Sequence, residues 1–229
     1  MSSGYYLLTI KPLTFYSGKW DSDTIMTAAL AIAFYREEEK IINSFLMGKP
    51  LFVVSNGFPK DAVRDLVFHK GPDTVFCKEQ IYCKSIRFIL YTEDLQKTNE
   101  YLEILSYMGI GSRRTVGGGW FSISSIDPLK PAISKKAAII SNYVPNECDP
   151  IPLNSFTLDV KQPKTAEGKE KQTFVYIKPN ILIETKEEYK QVYGRVLKLG
   201  DKYQVCYGLA YPIKDERSFN NEIEAVIGI

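Results

Sequence analysis

A single histidine, His69, stands in the 229 residues of this chain. That scarcity excludes acid–base schemes built on paired histidines and metal sites rich in histidine within the chain. Cysteine is nearly as sparse. Cys77, Cys83, Cys148 and Cys206 are scattered, and the five residues between Cys77 and Cys83 fit neither a zinc knuckle nor a redox pair. Free buried thiols are expected, with no metal and no cofactor. No apolar run approaches the roughly 20 residues that cross a bilayer, and the opening MSSGYYLLTIKP lacks the basic-then-apolar order of a signal peptide. A cytoplasmic protein away from membranes is the expectation. The net charge of +2 supplies no broad positive field, so any basic surface for a nucleic acid must be local.

What the chain does have is core material. With 45% hydrophobic residues it can form one large or two small domains. Tyr5 to Ile10 reads as a strand closed by Lys11-Pro12. Ser22 or Asp23 is placed to cap a helix whose run IMTAALAIAFY, from Ile25 to Tyr35, is apolar enough to be buried on most faces. Glu37 to Leu46 extends it or begins a second helix. LFVVS after Pro50 reads as a short buried strand, and Asn56 to Lys84, broken by Gly-Phe-Pro and Gly-Pro, as a loop. SIRFILY from Ser85 to Tyr91 is a further strand. From Asp94 to Met108 the positions of Leu95, Tyr101, Leu102, Leu105 and Met108 give an amphipathic helix, followed after a glycine-rich segment by the strand WFSIS.

Strand, helix, strand, strand, helix, strand is the order of a ferredoxin-like (RRM-like) domain, so the fold class is α+β, with residues 1–126 as the first domain. Residues 127–136, DPLKPAISKK, read as a connector. Residues 137–229 contain the strand-like runs AAIISNYV, FTLDV, TFVYI with NILIE, and YQVCYGLAYPI, and read as a β-rich, degenerate ferredoxin-like second domain. Lys161 to Lys171 carries four lysines and no core-forming residue, which predicts a mobile, exposed hairpin loop. A surface tail is expected from Asp215.

The segment Gly109-Ile-Gly111-Ser112-Arg113-Arg114-Thr-Val-Gly117-Gly118-Gly119-Trp120 holds five glycines within eleven residues. Glycine opens backbone angles closed to other residues and lets a ligand approach the main chain. A dinucleotide fingerprint requires a third glycine where Arg114 stands, and a P-loop requires Gly-Lys-Ser/Thr where the chain has Gly-Gly-Trp. Both of those cradles also lead into a helix N-terminus, whereas this loop leaves a helix C-terminus, whose dipole repels phosphate. Attraction for an anion must come from the arginines and from loop amides, a chemistry suited to single-stranded RNA. The alternative is a structural one, in which Gly109 caps the helix and Gly117 to Gly119 form a tight turn.

With these residues the chain resembles the RAMP superfamily of CRISPR proteins, in which a glycine-rich loop joins the last helix and strand of a ferredoxin-like domain. It is similar in particular to the type III (Csm-type) subunits that cap the 5′ end of the effector complex. The likeness is carried by the loop Gly109 to Phe121, by Ser22-Asp23-Thr24-Ile25 opening an apolar helix, by Ser55-Asn-Gly-Phe-Pro59, by Ser141-Asn-Tyr-Val-Pro145 and by Tyr207-Gly-Leu-Ala210. Gly118 departs from the pattern, and the stretch between Pro59 and Lys84 is short for the family, so the hairpin that wedges between guide and target is expected to be reduced. The resemblance implies a non-catalytic subunit that binds the crRNA 5′ handle. The implied RNA-binding positions are Gly109, Gly111, Ser112, Arg113, Arg114, Gly117, Gly118, Gly119, Trp120, Ser22, Asp23, Thr24 and Ser55. The implied partners are a large polymerase-like CRISPR subunit and a neighbouring backbone RAMP subunit. Two alternatives stand beside it: a RAMP-type endoribonuclease using His69 on guide precursor RNA, and a protein-interaction scaffold without RNA that uses its 15 tyrosines and 12 phenylalanines.

Overall fold

A computed structural model describes residues 3–16, 19–70, 75–111, 118–164, 169–184, 189–214 and 219–228. In the first half, β1 (Gly4–Pro12) lies at the centre of a sheet, antiparallel to β6 (Ser85–Thr92) on one side and β7 (Phe121–Leu129) on the other. The strand β2 (Phe52–Val54) pairs with β6, giving the order β2-β6-β1-β7, and the short β3 (Phe58–Lys60) pairs with the start of β6. Because side chains alternate across a strand, the register puts Tyr6 opposite Leu90, Leu8 opposite Phe88 and Ile10 opposite Ile86 on one face, and all six are buried.

The helices α1 (Ser22–Tyr35) and α3 (Leu95–Met108) follow β1 and β6 in the chain. At the start of α3 the Asp94 carboxylate accepts from the Lys97 amide at 3.1 Å, and Gly109 ends the helix with φ of 74°. A left-handed residue, Glu37 (φ 56°), separates α1 from α2 (Glu39–Leu46). Arg36 and Lys97 then pair with Glu38 and Glu100, fixing that corner to α3.

The segment expected to be a loop is instead a ribbon. β4 (Val63–Lys70) and β5 (Val75–Tyr82) are eight residues each and pair from Val63 opposite Tyr82 to Lys70 opposite Val75. β4 ends at Lys70 and β5 begins at Val75, and the Gly71-Pro72 breaker lies outside the described residues. His69 is therefore a strand residue, opposite Phe76. The cysteines are free, but burial is not general: Cys77, in β5, and Cys148 are exposed, Cys83 is partly buried, and only Cys206, among the four, is buried. A bridge between Tyr16 and Ile81 ties its base to the body.

In the second half, β8 (Lys136–Ile139), β11 (Ile181–Glu184), β12 (Val192–Leu199) and β13 (Lys202–Pro212) form an antiparallel sheet in the order β11-β8-β13-β12. β9 (Leu158–Lys161) and β10 (Phe174–Ile177) form a separate ribbon. Among the described residues no helix lies between these strands, so the second half is β-rich without crossover helices. β12 had no place in the sequence reading. Gly194 interrupts its apolar pattern, yet its φ of 90° fits a close approach, since a side chain there would come within 2.5 Å of the Cys206 carbonyl. The expected tail contains α4 (Phe219–Ile227), which buries Phe219, Ile223 and Ile227 at four-residue spacing and ends where Arg87 donates to the Ile227 and Gly228 carbonyls.

β7 runs on to Leu129, over the first residues of the expected connector, and β8 begins at Lys136. One apolar core holds Leu8, Ile25, Phe52 and Phe88 from the first half together with Val205, Tyr207, Leu209 and Ile223 from the second. α1 packs against β2 and α3, and also against β13. A helix covered from both halves must be apolar over most of its circumference, which accounts for the run IMTAALAIAFY.

Candidate nucleic-acid interface

The glycine-rich segment leaves α3 and returns into β7 through a hydrogen-bonded clasp. The Ile110 amide donates to the Gly119 carbonyl at 3.0 Å, and the Gly119 amide donates to the Phe15 carbonyl at 2.9 Å. The Leu13 amide donates to the Trp120 carbonyl at 2.8 Å, while the Trp120 amide donates to Thr14 Oγ1 at 3.1 Å. Gly119 has φ of 81°, and a Cβ there would sit 2.0 Å from the Ile110 carbonyl oxygen. Only glycine fits. Gly111 is also left-handed, with φ of 90°. The structural reading thus accounts for Gly109 as a helix terminator and for Gly119 as a point of close approach. Gly118 is buried, and the Trp120 side chain is half exposed beside the clasp. Ser112, Arg113, Arg114 and Gly117 lie outside the described residues.

The second predicted group, Ser22, Asp23 and Thr24, lies at the start of α1, with Trp20 between it and the clasp. Trp20 packs edge-on against Phe121 at 5.4 Å and Tyr16 at 5.6 Å. Neither Ser22 nor Asp23 supplies the cap. The N-cap residue is Asp21, whose carbonyl accepts from the Thr24 amide at 3.1 Å, and the Ser22 amide is satisfied by Asn56 Oδ1 at 3.1 Å. Asp23 is only 2% exposed. Its carboxylate takes Lys161 Nζ at 2.8 Å and Gln204 Nε2 at 3.0 Å. Lys161 also reaches Asp21 at 3.1 Å and Thr24 Oγ1 at 3.4 Å.

The electrostatics of this cluster follow from its burial. Removal from water raises the Asp23 carboxyl above its ordinary value, and Lys161 acts in the opposite direction. For Lys161 burial favours the neutral amine, but Asp23 and Asp21 outweigh it and hold the ammonium above its usual range. Two carboxylates at a helix N-terminus give a cation-holding arrangement, and Lys161 is the cation. Ser22 and Asp23, expected to face RNA, are therefore buried in the protein, and Asp23 joins its halves through Lys161 and Gln204.

Ser55 has the same character. It is buried, its hydroxyl donates to the Asn56 carbonyl at 2.8 Å, and it accepts from the Ile89 amide at 3.0 Å. Asn56 is the neighbouring hub, donating Nδ2 to Asn142 Oδ1 at 3.0 Å as well as receiving Ser22. Both asparagines lie in the short motifs Ser55-Asn-Gly and Ser141-Asn-Tyr, and that was the available signal for them. Lys161 and Gln204 had none, because their partners lie 138 and 181 positions away.

No protein-family model and no curated protein matches the sequence. Solved structures match the fold. A chain from a crystal structure of the Csm3-Csm4 subcomplex in the type III-A CRISPR-Cas interference complex aligns with a TM-score of 0.64 at 10% identity, over 92% of this chain and 100% of that one. A chain from a crystal structure of a Csm1-Csm4 cassette in complex with AMPPNP aligns with a TM-score of 0.57 at 12% identity, over 92% of this chain and 99% of that one. The α+β fold of this protein is the fold of those chains across nearly its whole length.

Proposed function

We propose that the chain is a non-catalytic subunit of a type III CRISPR effector complex, holding the 5′ handle of the guide RNA with its glycine- and arginine-rich loop. The observation that carries the reading is the shared fold over 92% of the chain with both Csm-complex structures. Csm4 is common to both of those assemblies, whose other named members are Csm3 and Csm1. On this reading the first half is a ferredoxin-like domain. Supporting it is the order β2-β6-β1-β7 with a helix after β1 and another after β6, as a split βαβ fold requires. The partners are then a large polymerase-like subunit and a neighbouring backbone subunit, and the site of action is the cytoplasm, in antiviral defence.

Co-expression with the rest of its operon, followed by size exclusion, tests the assembly. The expected result is a large RNA-containing particle, and a stable RNA-free monomer overturns the reading. Within that particle, Arg113→Ala/Arg114→Ala should lower the slope of log affinity against log salt for a short handle RNA by about 1.4 if both arginines contact phosphate, at about 0.7 per contact on a single strand. Fluorescence anisotropy measures it.

The ribbon that carries His69 is the place to look for a nuclease. With one histidine in the chain, no paired acid and base of that type can be assembled. His69→Ala should leave precursor processing and target cleavage by the complex unchanged in a gel-based cleavage assay. Loss of processing with assembly intact favours the endoribonuclease alternative.

A further inference from the structure

A polar cleft of about 380 Å³ opens in the second half, lined by Lys169, Glu170, Lys171 and Gln172 on one side and by the β12–β13 turn, Leu199 to Lys202, on the other. Its volume lies at the lower end of the roughly 300–1,000 Å³ typical of small-ligand sites. The turn is tight: Leu199 pairs with Lys202, and Gly200, with φ of 67°, has nothing near the position of a Cβ.

Three lysines and two carboxylates line the cleft. Glu170 is drawn toward Gln162 at 3.1 Å and Lys164 at 3.9 Å. Asp201 faces Lys202 at 3.4 Å. Lys171 differs from both, because its ammonium donates to two neutral oxygens, the Tyr203 carbonyl at 2.9 Å and Gln204 Oε1 at 3.3 Å. Half-buried without a carboxylate in those bonds, it is pushed below the usual lysine range by loss of water. Cys206 and Asp23 act on the ammonium in the opposite direction without bonding to it. A half-buried cation bonded to neutral oxygens gains from an incoming anion. Lys169 and Lys202 line the same cleft.

We propose that this cleft is a nucleotide-phosphate subsite, with Lys171 as its inner donor and Lys169 and Lys202 at its mouth. The shared ligand chemistry is a phosphate monoester or diester, which a free nucleotide and an RNA backbone both supply. The subsite lies in the second half, on residues separate from the glycine-rich loop, and does not depend on that loop's role.

The test uses the full chain with two probes, a labelled ten-nucleotide single-stranded RNA and ATP, each titrated against wild type and Lys169→Gln/Lys202→Gln. If the strand occupies the cleft, the double variant should lower the RNA salt slope by about 1.4, so the affinity gained on going from 200 to 50 mM salt shrinks about sevenfold. If a free nucleotide is the ligand, the ATP isotherm weakens and the RNA slope stays. Lys171→Gln should act in the same direction as the double variant, with circular dichroism as its folding control, and the exposed pair decides the matter if Lys171→Gln unfolds. Unchanged isotherms for both probes in the double variant overturn the proposal. So does RNA binding that depends wholly on Arg113 and Arg114 together with an unchanged ATP isotherm, an outcome that leaves the loop assignment standing.

Discussion

Lys161→Met should cost about 3 kcal/mol of stability, because removing one partner of a buried ion pair leaves the other charge unpaired. The side chain is 23% exposed and its partner Asp23 only 3%, so solvent can do little to relieve the remaining carboxylate. For a chain of this size the loss corresponds to a fall in Tm of about 6–12 °C. Adding Asp23→Asn should restore much of it, since an amide tolerates burial and can still accept from Gln204. The pH dependence gives a second readout. Asp23 is raised by burial, so its native state holds a proton more tightly than the unfolded chain, and the stability it contributes is greatest at low pH and falls as the pH rises through the raised value. Loss of Lys161 raises that value further. The deficit of Lys161→Met relative to wild type should therefore shrink on acidification, and thermal melts across the acid range would show it. A deficit independent of pH, unaffected by Asp23→Asn, would mean that Lys161 matters only through packing of its aliphatic stem.

Gly119→Ala should open the clasp while leaving most of the fold in place, and on the proposed function it should abolish handle binding. The left-handed backbone alone costs alanine about 1–2 kcal/mol. A Cβ placed 2.0 Å from the Ile110 carbonyl oxygen cannot be accommodated, so the Ile110–Gly119 and Gly119–Phe15 hydrogen bonds are forced to rearrange as well. Together the loss is about 3 kcal/mol. Gly48→Ala is the control: Gly48 has a similar φ of 79° but open space around the added methyl, so it pays the backbone term without the collision. Handle-RNA anisotropy should separate the two, with binding lost in the first and retained in the second. Equal binding in both would show that loop geometry does not govern RNA affinity.

The elements legible in the sequence were those whose pattern is local. The run Ile25 to Tyr35 marked α1, and the spacing of Tyr101, Leu102 and Leu105 marked α3, whose cap Asp94 stands at the expected start. Where punctuation was ambiguous the reading failed. Gly71-Pro72 reads equally as a loop break and as the connection between β4 and β5, and Gly194 hid β12. The lysine-rich stretch from Lys161 was read as solvated because nothing nearby in sequence shows where its ammonium groups go. In the folded protein Lys161 and Lys171 turn inward, one to Asp21 and Asp23 and the other to Tyr203 and Gln204. For the same reason the helix-start motif was legible as a motif but not as an inner joint. Glycine content marked the segment after α3, and the structure gives a geometric reason at Gly109, which ends the helix, and at Gly119, which closes on Ile110.

The joint at the start of α1 also bears on how the chain acquires its structure during synthesis. Asp23 is made early, but Lys161 and Gln204 follow 138 and 181 residues later, and the Tyr5 hydroxyl waits for the Ala210 carbonyl across 205 positions. Until β9 and β13 leave the ribosome, α1 has a hydrated carboxylate at one end and an uncovered apolar flank. The N-terminal half therefore emerges as an incomplete body, and consolidation comes late, when the last hundred residues close over it. Contacts this distant slow folding and leave apolar surface exposed in the interval. On the proposed function, a guide strand or neighbouring subunit that arrived before β13 would meet an α1 not yet fixed in place, so the order of synthesis favours recruitment after β13 has been made.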